Sequence, residues 1–411
     1  MFLNNLRPLA ASALAAAFLI SCSQDAKNEQ QPEEQLVAPS SSQMIEGQYI
    51  VVYNTSVTGD EGKRFPQDYA RAQEAVQSRT RQMLASTGID DSEILAVFSH
   101  TVNGAALRLS AKQAELLSNK KEVAYIEEDK IVTFAPPCGT PSGGPCDGDP
   151  GGGGSGQETP YGIARVNGIA DYTGSGVAWV IDTGIDLDHP DLNVDAARGF
   201  NAFTSGKDAK SLDDGNGHGS HVAGTIAAIN NEIGVIGVAP GATVIPVKVL
   251  DSRGSGSYSG VIAGVDYVAA NGQSGDVANM SLGGPVSQAL DDAVVAASEN
   301  GIKFALAAGN ESDDANNHSP ARANGSNIVT ISAMDNTDSW ASFSNYGNPP
   351  VDYAAPGVAI KSTWKDGGYN TISGTSMASP HAAGILLLGN ASTDGVVSGD
   401  PDGNADPIIV H

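Results

Sequence analysis

Four short segments of the chain carry residues suited to nucleophilic chemistry. "VIDTGID" ends an apolar run at Asp182. "DGNGHGSHVAGTIAA" sets His218 at a glycine-rich turn that opens a helix, with His221 one turn further along. "FALAAGNES" closes a buried-strand pattern at Asn310, and "SGTSMASPHAAGILLLG" puts Ser376 where a helix begins. Each segment alone has an ordinary reading. D-T-G is a strand-end turn, or half of a paired-carboxylate site that needs two copies where this chain has one. The H-x-x-H spacing suggests a metal pair, but no interposed Glu base or third ligand accompanies it. His221, deeper in the helix, reads as structural. Asn310 fits a turn, and Ser376 fits a helix cap.

Together the four describe one reaction. A carboxylate orients an imidazole, the imidazole takes a proton from a hydroxyl, and an amide donates to the oxyanion that forms. A serine at a helix N-terminus also has free N–H groups and a positive dipole end beside it. The order Asp, His, Ser is that of subtilisin and not of the α/β-hydrolases, and "GTSMASPH" lacks the G-x-S-x-G elbow. Pro380 stands inside the helical pattern, where it removes a backbone donor.

Residues 160–389 resemble the subtilisin-type (subtilase) serine peptidases, nearest their proteinase K branch. The markers are "DTGID", "HPDL", "GNGHGSHVAGT", "VKVLDSRGSGSYS", "SLGG", "AAGN", "SFSNYG", "APG" and "GTSMASPH". The resemblance implies Ser376 as nucleophile, His218 as base and Asp182 as the group that orients it. It implies an oxyanion hole from the Asn310 side chain and the Ser376 N–H, and it makes Pro380 part of the motif. Gly374, Ala378 and Gly384 would let the serine helix pack close to the sheet. Polypeptide substrates would lie extended between Gly254-Ser255-Gly256 and Ser281-Leu282-Gly283. Ala307, Ala308 and Gly309 would line the pocket for the residue before the scissile bond. Their small, uncharged walls favour an apolar or aromatic side chain there. Tyr258 would flank a more distant pocket. No catalytic cofactor or metal is implied. Asp352 in "VDYAAPG" matches a position that holds structural calcium, although the partner carbonyl region carries an insertion here.

The elements that must position these residues can also be read. From Thr159 onward, apolar runs such as "VAWVID", "ATVIPVKVL", "DVANMSL", "IKFALAAG" and "NIVTISAM" alternate with helix-like segments. Continuous apolar strands mark a buried parallel sheet, so residues 159–390 form a doubly wound α/β domain. Its motifs fall at strand ends and helix starts, where open sheets bind ligands. Residues 47–134 have the order β-α-β-β-α-β of a small α+β, ferredoxin-like domain, with Asn103-Gly104 as a hairpin turn. With "YIVVY" and "VAYIEED" this segment resembles the inhibitor-I9 propeptides. That implies a folding aid that blocks the active site through its last strand, an intramolecular inhibitor. Residues 135–158 are a Gly/Pro-rich linker, open to autocatalytic cleavage between about Phe134 and Thr159. Cys138 and Cys146 within it suit a local disulfide in an exported chain. Residues 391–411 read as an Asp/Gly-rich tail whose D-x-D-G-N run loosely resembles a calcium loop.

The first 22 residues have the basic start and apolar run of an export signal. They end in Leu19-Ile20-Ser21-Cys22, which resembles a bacterial lipoprotein box with Cys22 acylated. The absence of Asp after Cys22 favours the outer membrane. A polar tether follows to residue 46. If the linker is cut, the lipid stays with the propeptide, so the peptidase is held noncovalently or released. A formal charge of −25 over 411 residues excludes nucleic acid as a partner. Contact with a membrane is expected only through the anchor, and the protein is expected to be a monomer.

Overall fold

The computed structural model describes residues 44–133, 156–168 and 171–411. Cys22, Cys138 and Cys146, with the signal segment, nearly all of the tether and most of the linker, lie outside the described residues.

The small domain has strands β1 (Met44–Tyr53), β2 (Ile94–Phe98), β3 (Gly104–Arg108) and β4 (Val123–Thr133). Helices α1 (Tyr69–Ala85) and α2 (Ala111–Ser118) cross behind them. Local sequence starts both helices. Asp68 accepts from the Arg71 N–H at 3.1 Å, and Ser110 with Gln113 forms a capping box. The sheet order is β2-β3-β1-β4, with antiparallel neighbours throughout. One detail differs from the sequence reading. Gly104 is not at a hairpin tip. It opens β3, opposite Phe98 and Val52, and a side chain there would meet the Val51 carbonyl at 2.5 Å. The connection is the longer loop 99–103, because its backbone wraps a carboxylate of the large domain.

The large domain is built on a ten-stranded sheet. Its main strands are β5 (Ala178–Asp182), β6 (Thr243–Lys248), β8 (Val277–Met280), β9 (Lys303–Ala307), β10 (Ile328–Met334) and β11 (Val351–Pro356). A short strand, β7 (Ser255–Ser257), lies apart from this sheet. The order β11-β10-β9-β8-β5-β6 is parallel throughout, as continuous apolar strands require. Helices α3 (His218–Ala227), α4 (Tyr258–Asn271), α5 (Gln288–Ser298) and α6 (Thr375–Leu388) cover its faces.

One core holds Val222, Ile226, Met377 and Ala378 with Val180 and Val244 of the sheet. The other holds Trp179, Val261, Leu290 and Phe304, together with Ile50, Phe98 and Val132 of the small domain. The small domain thus shares a hydrophobic core with the large one.

Residues 391–411 are not a tail. Strands β12 (Ser392–Val396) and β13 (Pro407–Val410) extend the main sheet beyond β11, with β13 parallel to it. Ile408, Ile409 and Val410 are buried. The Asp/Gly-rich composition of the loop masks this apolar run. Asp406 at its start is buried, accepts from Ser332 Oγ at 2.5 Å and Asn348 Nδ2 at 3.0 Å, and burial pushes its pKa up to about 6. The end of the linker segment is also part of the fold, since Glu158 bridges to Val235.

Candidate active site

Asp182 ends β5 and His218 begins α3, so the sheet and the helix bring them together. The Nδ1 of His218 lies 2.8 and 2.9 Å from the two Asp182 carboxylate oxygens, and both side chains are fully buried. The Thr183 N–H donates to Asp182 Oδ1 at 2.7 Å. A residue the sequence reading passed over sets the turn before His218. Buried Asp214 accepts from the N–H groups of Asn216, Gly217 and Ser220 and from the hydroxyls of Thr183 and Ser220. Gly219 is required here, since a side chain would meet the Gly184 carbonyl at 2.1 Å.

His221 has a structural place. Its Nε2 donates to the Ile360 carbonyl at 2.9 Å, and burial lowers its pKa to about 3, so it stays neutral.

Ser376 is the second residue of α6. Its hydroxyl donates to the Ser281 carbonyl at 3.1 Å. Pro380 now has a physical account. An interior proline cannot donate to the carbonyl four residues earlier, and that carbonyl belongs to Ser376. The Ser281 hydroxyl donates to it instead, at 2.7 Å. Asn279 completes the support: its Nδ2 donates to Ser281 Oγ at 2.9 Å and its Oδ1 accepts from Ser379 Oγ at 2.9 Å. The serine therefore sits on a closed, buried polar network.

Asn310 follows β9 across the cleft. Its Oδ1 accepts from the Thr375 N–H at 2.8 Å and the Thr375 hydroxyl at 3.0 Å. Holding the oxygen this way turns the amide donor away from Thr375. Both Asn310 and Ser376 line the same pocket, so a donor, a hydroxyl and a helix N-terminus face one space.

That pocket has Leu282, Gly283 and Gly284 on one wall and Ala307, Ala308 and Gly309 on the other. Gly309 has φ +108°, and a side chain there would meet Asn345 Nδ2 at 2.3 Å. Two ionisable residues that the sequence reading missed also line the pocket, Glu311 and His318. The walls are small but not uncharged. Glu311 adjoins the quoted "AAGN" motif, whereas His318 arrives from a separate loop and carries no signal of its own.

Gly254 turns the chain at φ +78°, and Ser255 and Gly256 belong to β7. The last strand of the small domain adds to β7 antiparallel, with Ile131, Val132 and Thr133 opposite Ser257, Gly256 and Ser255. Thr133 lines the pocket beside Ser376. Tyr258 is not among the pocket residues. It is fully buried at the start of α4, and its hydroxyl donates to the Pro285 carbonyl. Asp352 accepts from the Thr330 N–H at 2.9 Å.

Comparison with known proteins gives the family. Residues 174–393 match the subtilase family and residues 48–135 match the peptidase inhibitor I9 family. Alkaline serine exoprotease A of Vibrio alginolyticus is 39% identical over 84% of this chain, which spans 60% of that relative's length. Subtilisin NAT of Bacillus subtilis subsp. natto is 43% identical over 70% of each chain. An extracellular serine proteinase of Thermus sp. is 37% identical over 91% of this chain and 88% of its own. The crystal structure of a cold-adapted subtilisin-like serine proteinase superposes with a TM-score of 0.52 at 41% identity, covering 60% of this chain and 96% of that one. The chain belongs to the subtilase family of serine peptidases, with an inhibitor-I9 domain ahead of the peptidase domain.

Proposed function

We propose that the chain is an exported serine endopeptidase made as a self-inhibited zymogen. The observation that carries this is the placement of Ser376 and Asn310 on one pocket, with the buried Asp182–His218 pair supplied by the facing elements. In the reaction, His218 takes the Ser376 proton as the hydroxyl attacks the peptide carbonyl, and later gives it to the leaving amine. Asp182 holds the imidazole by Nδ1 and stabilises its positive charge. The Asn310 amide and the Ser376 N–H take the oxyanion, each such donor being worth roughly 10²–10³ in turnover. The substrate backbone pairs with Gly254-Ser255-Gly256, where the last strand of the small domain now lies.

The test is Ser376→Ala with a fluorophosphonate probe. Loss of labelling and of proteolysis supports the reading, and persistence of both overturns it. Mass spectrometry of the exported protein reports on maturation. A cut between about Phe134 and Thr159 supports the zymogen, whereas an intact chain spanning the linker favours a permanently inhibited form. The same spectra test acylation at Cys22 and the Cys138–Cys146 disulfide.

We also infer a structural cation, at a different place from Asp352. Among the described residues, no group of three or more His, Cys, Asp and Glu is placed to share a metal. A hard cation is also held by carbonyl and amide oxygens, roughly six to eight in all for calcium. Such oxygens converge near Asp191. The Ile229 and Val235 carbonyls and Asn231 Oδ1 lie 2.6, 3.2 and 3.4 Å from the Gln157 amide nitrogen, and Asn231 Nδ2 reaches Asp191 at 2.8 Å. Asp191 is fully buried, also accepts from the Val235 N–H at 3.1 Å and the Tyr369 hydroxyl at 3.3 Å, and burial raises its pKa, so a cation there would stabilise its charged form. Chelation should lower the melting temperature and added calcium should restore it, while Asp191→Asn removes the response.

A further inference from the structure

Among the described residues, Lys248 is the one lysine or arginine that is fully buried, 1% exposed. We propose that Lys248 is a positioning residue for the catalytic pair: its ammonium fixes the Thr183 carbonyl and, through Thr183, the Asp182 carboxylate and the first turn of α3. This rests on the peptidase reading above.

Lys248 ends β6 and stands opposite Asp182, the end of β5, in the parallel ladder. Its Nζ donates to the Thr183 carbonyl. Thr183 touches three parts of the site. Its N–H donates to Asp182 Oδ1 at 2.7 Å, its hydroxyl donates to Asp214 Oδ1 at 2.8 Å, and the same hydroxyl accepts from the Gly219 N–H of α3 at 3.0 Å. The peptide before Thr183 is also held from the end of β6, since the Val249 and Leu250 N–H groups donate to the Asp182 carbonyl at 2.9 and 3.1 Å. Two successive peptide planes are therefore clamped, one by backbone and one by the lysine. The second needs its clamp more. It is followed by Gly184 at φ +104°, a residue that turns easily and does not fix the plane itself.

A purely structural lysine would tie the 201–208 segment to the sheet. That segment has ties of its own. The Ala202 N–H donates to the Lys248 carbonyl at 2.9 Å, Asn201 Nδ2 donates to the Asp208 carbonyl at 2.8 Å, and Asp208 Oδ1 accepts from the Ser252 N–H at 3.0 Å. Asp208 Oδ1 lies 3.7 Å from Lys248 Nζ, close enough to offset its charge but longer than a hydrogen bond. The hydrogen bond goes to Thr183. An ionised donor holds a carbonyl more firmly than a neutral one, which gives a reason for a buried ammonium at this point.

The test uses the full chain, recovered after its own processing. Lys248→Met keeps the stem and removes the ammonium. Its kcat on a peptide should fall by about 10- to 100-fold, the scale of a misplaced catalytic group, while KM stays within about twofold. Fluorophosphonate labelling of Ser376 should slow by a similar factor, because it needs His218 in place. Asp208→Asn removes the nearby charge but leaves the Thr183 contact, so its kcat should stay within about threefold. A lower melting temperature with unchanged kcat in Lys248→Met, or equal falls in kcat in the two variants, overturns the proposal. If Lys248→Met does not fold, Lys248→Gln keeps a neutral donor on a shorter stem, and an unchanged kcat there overturns the proposal equally. The unmodified chain separates the two readings. Cleavage and labelling by it, with Lys248→Met its equal, remove the positioning role alone, whereas neither cleavage nor labelling by it removes both.

Discussion

The small domain meets the large one over two unlike surfaces. Against helices α4 and α5 the small domain adds, to the apolar core it shares with them, a set of carboxylate contacts. Asp129 accepts from the Ser259 N–H at 3.1 Å and the Ser259 hydroxyl at 2.5 Å, at the start of α4. Glu127 accepts from the Ser287 hydroxyl and from the Gln288 N–H at 3.1 Å, at the start of α5. In the opposite sense, Asp266 of α4 takes the N–H groups of Ser99, His100 and Thr101, at 3.0, 2.6 and 2.8 Å. In the cleft, by contrast, strand β4 lies on β7 through backbone pairing. The first surface depends on particular side chains; the second asks mainly for an extended backbone. A substrate can imitate only the second. The contrast separates what makes the small domain specific for its own enzyme from what makes it resemble a substrate.

The largest effect is expected where a buried charge is already satisfied. Asp266→Ala leaves three backbone donors of the 99–101 loop without their acceptor. Truncating one partner of a buried, charge-assisted contact costs about 2–5 kcal/mol. The cleaved small domain should then leave at least about tenfold sooner, seen as a shorter lag before activity appears. The same carboxylates make the contact depend on pH. Burial, the largest influence on each, raises Asp266, Asp129 and Glu127 above their ordinary values. They fall back when the domains part, so association takes up protons. The contact is strongest below the ordinary carboxyl range and weakens as pH rises through the raised values. In Ser376→Ala cut at the linker, retention of the small domain should therefore fall as pH rises, and fall less steeply in Asp266→Asn.

A smaller loss is expected at the helix starts. Asp129→Ala removes an acceptor at the first turn of α4, and losses of this kind cost about 0.5–2 kcal/mol. Ser257 remains as a second cap on that helix, accepting from Gly260 at 3.0 Å. Glu127→Ala should cost less than Asp129→Ala, because Glu127 is less deeply buried and Ser287 still caps α5. An equal or larger loss at Glu127, read from the same activation lag, would reverse this ranking.

These surfaces were unequally legible in the sequence. The strand ends and helix starts that place Asp182, His218, Asn310 and Ser376 follow from apolar runs and glycine-rich turns, because parallel sheets write their strands continuously. Pro380 was visible as an anomaly, but its partner Ser281 was not. A hydroxyl that replaces a missing backbone donor is chosen by proximity in space. Asp266 gives no local sign either, since it lies inside an apolar helix and its partners lie 165–167 residues earlier. The strands of residues 391–411 were hidden by a loop whose composition resembles a linker. Glu311 and His318 meet only because the loop between them folds back. Patterns of period two or 3.6 report which face of an element is buried, and none of these contacts depends on that.

The smallest effect is expected on the cleft side, and it is the sharper half of the comparison. Ile131 pairs with Ser257 through its backbone and is only half-buried. Ile131→Val keeps a β-branched side chain and leaves the main-chain hydrogen bonds of the ladder in place. It removes one methylene from a partly exposed position, so the cost should stay near the roughly 0.5 kcal/mol typical of surface changes. The activation lag should change by less than about threefold, far below the effect of Asp266→Ala. If Ile131→Val instead releases the small domain as fast as Asp266→Ala does, side chains govern the cleft too. The small domain would then hold its enzyme by one kind of contact throughout.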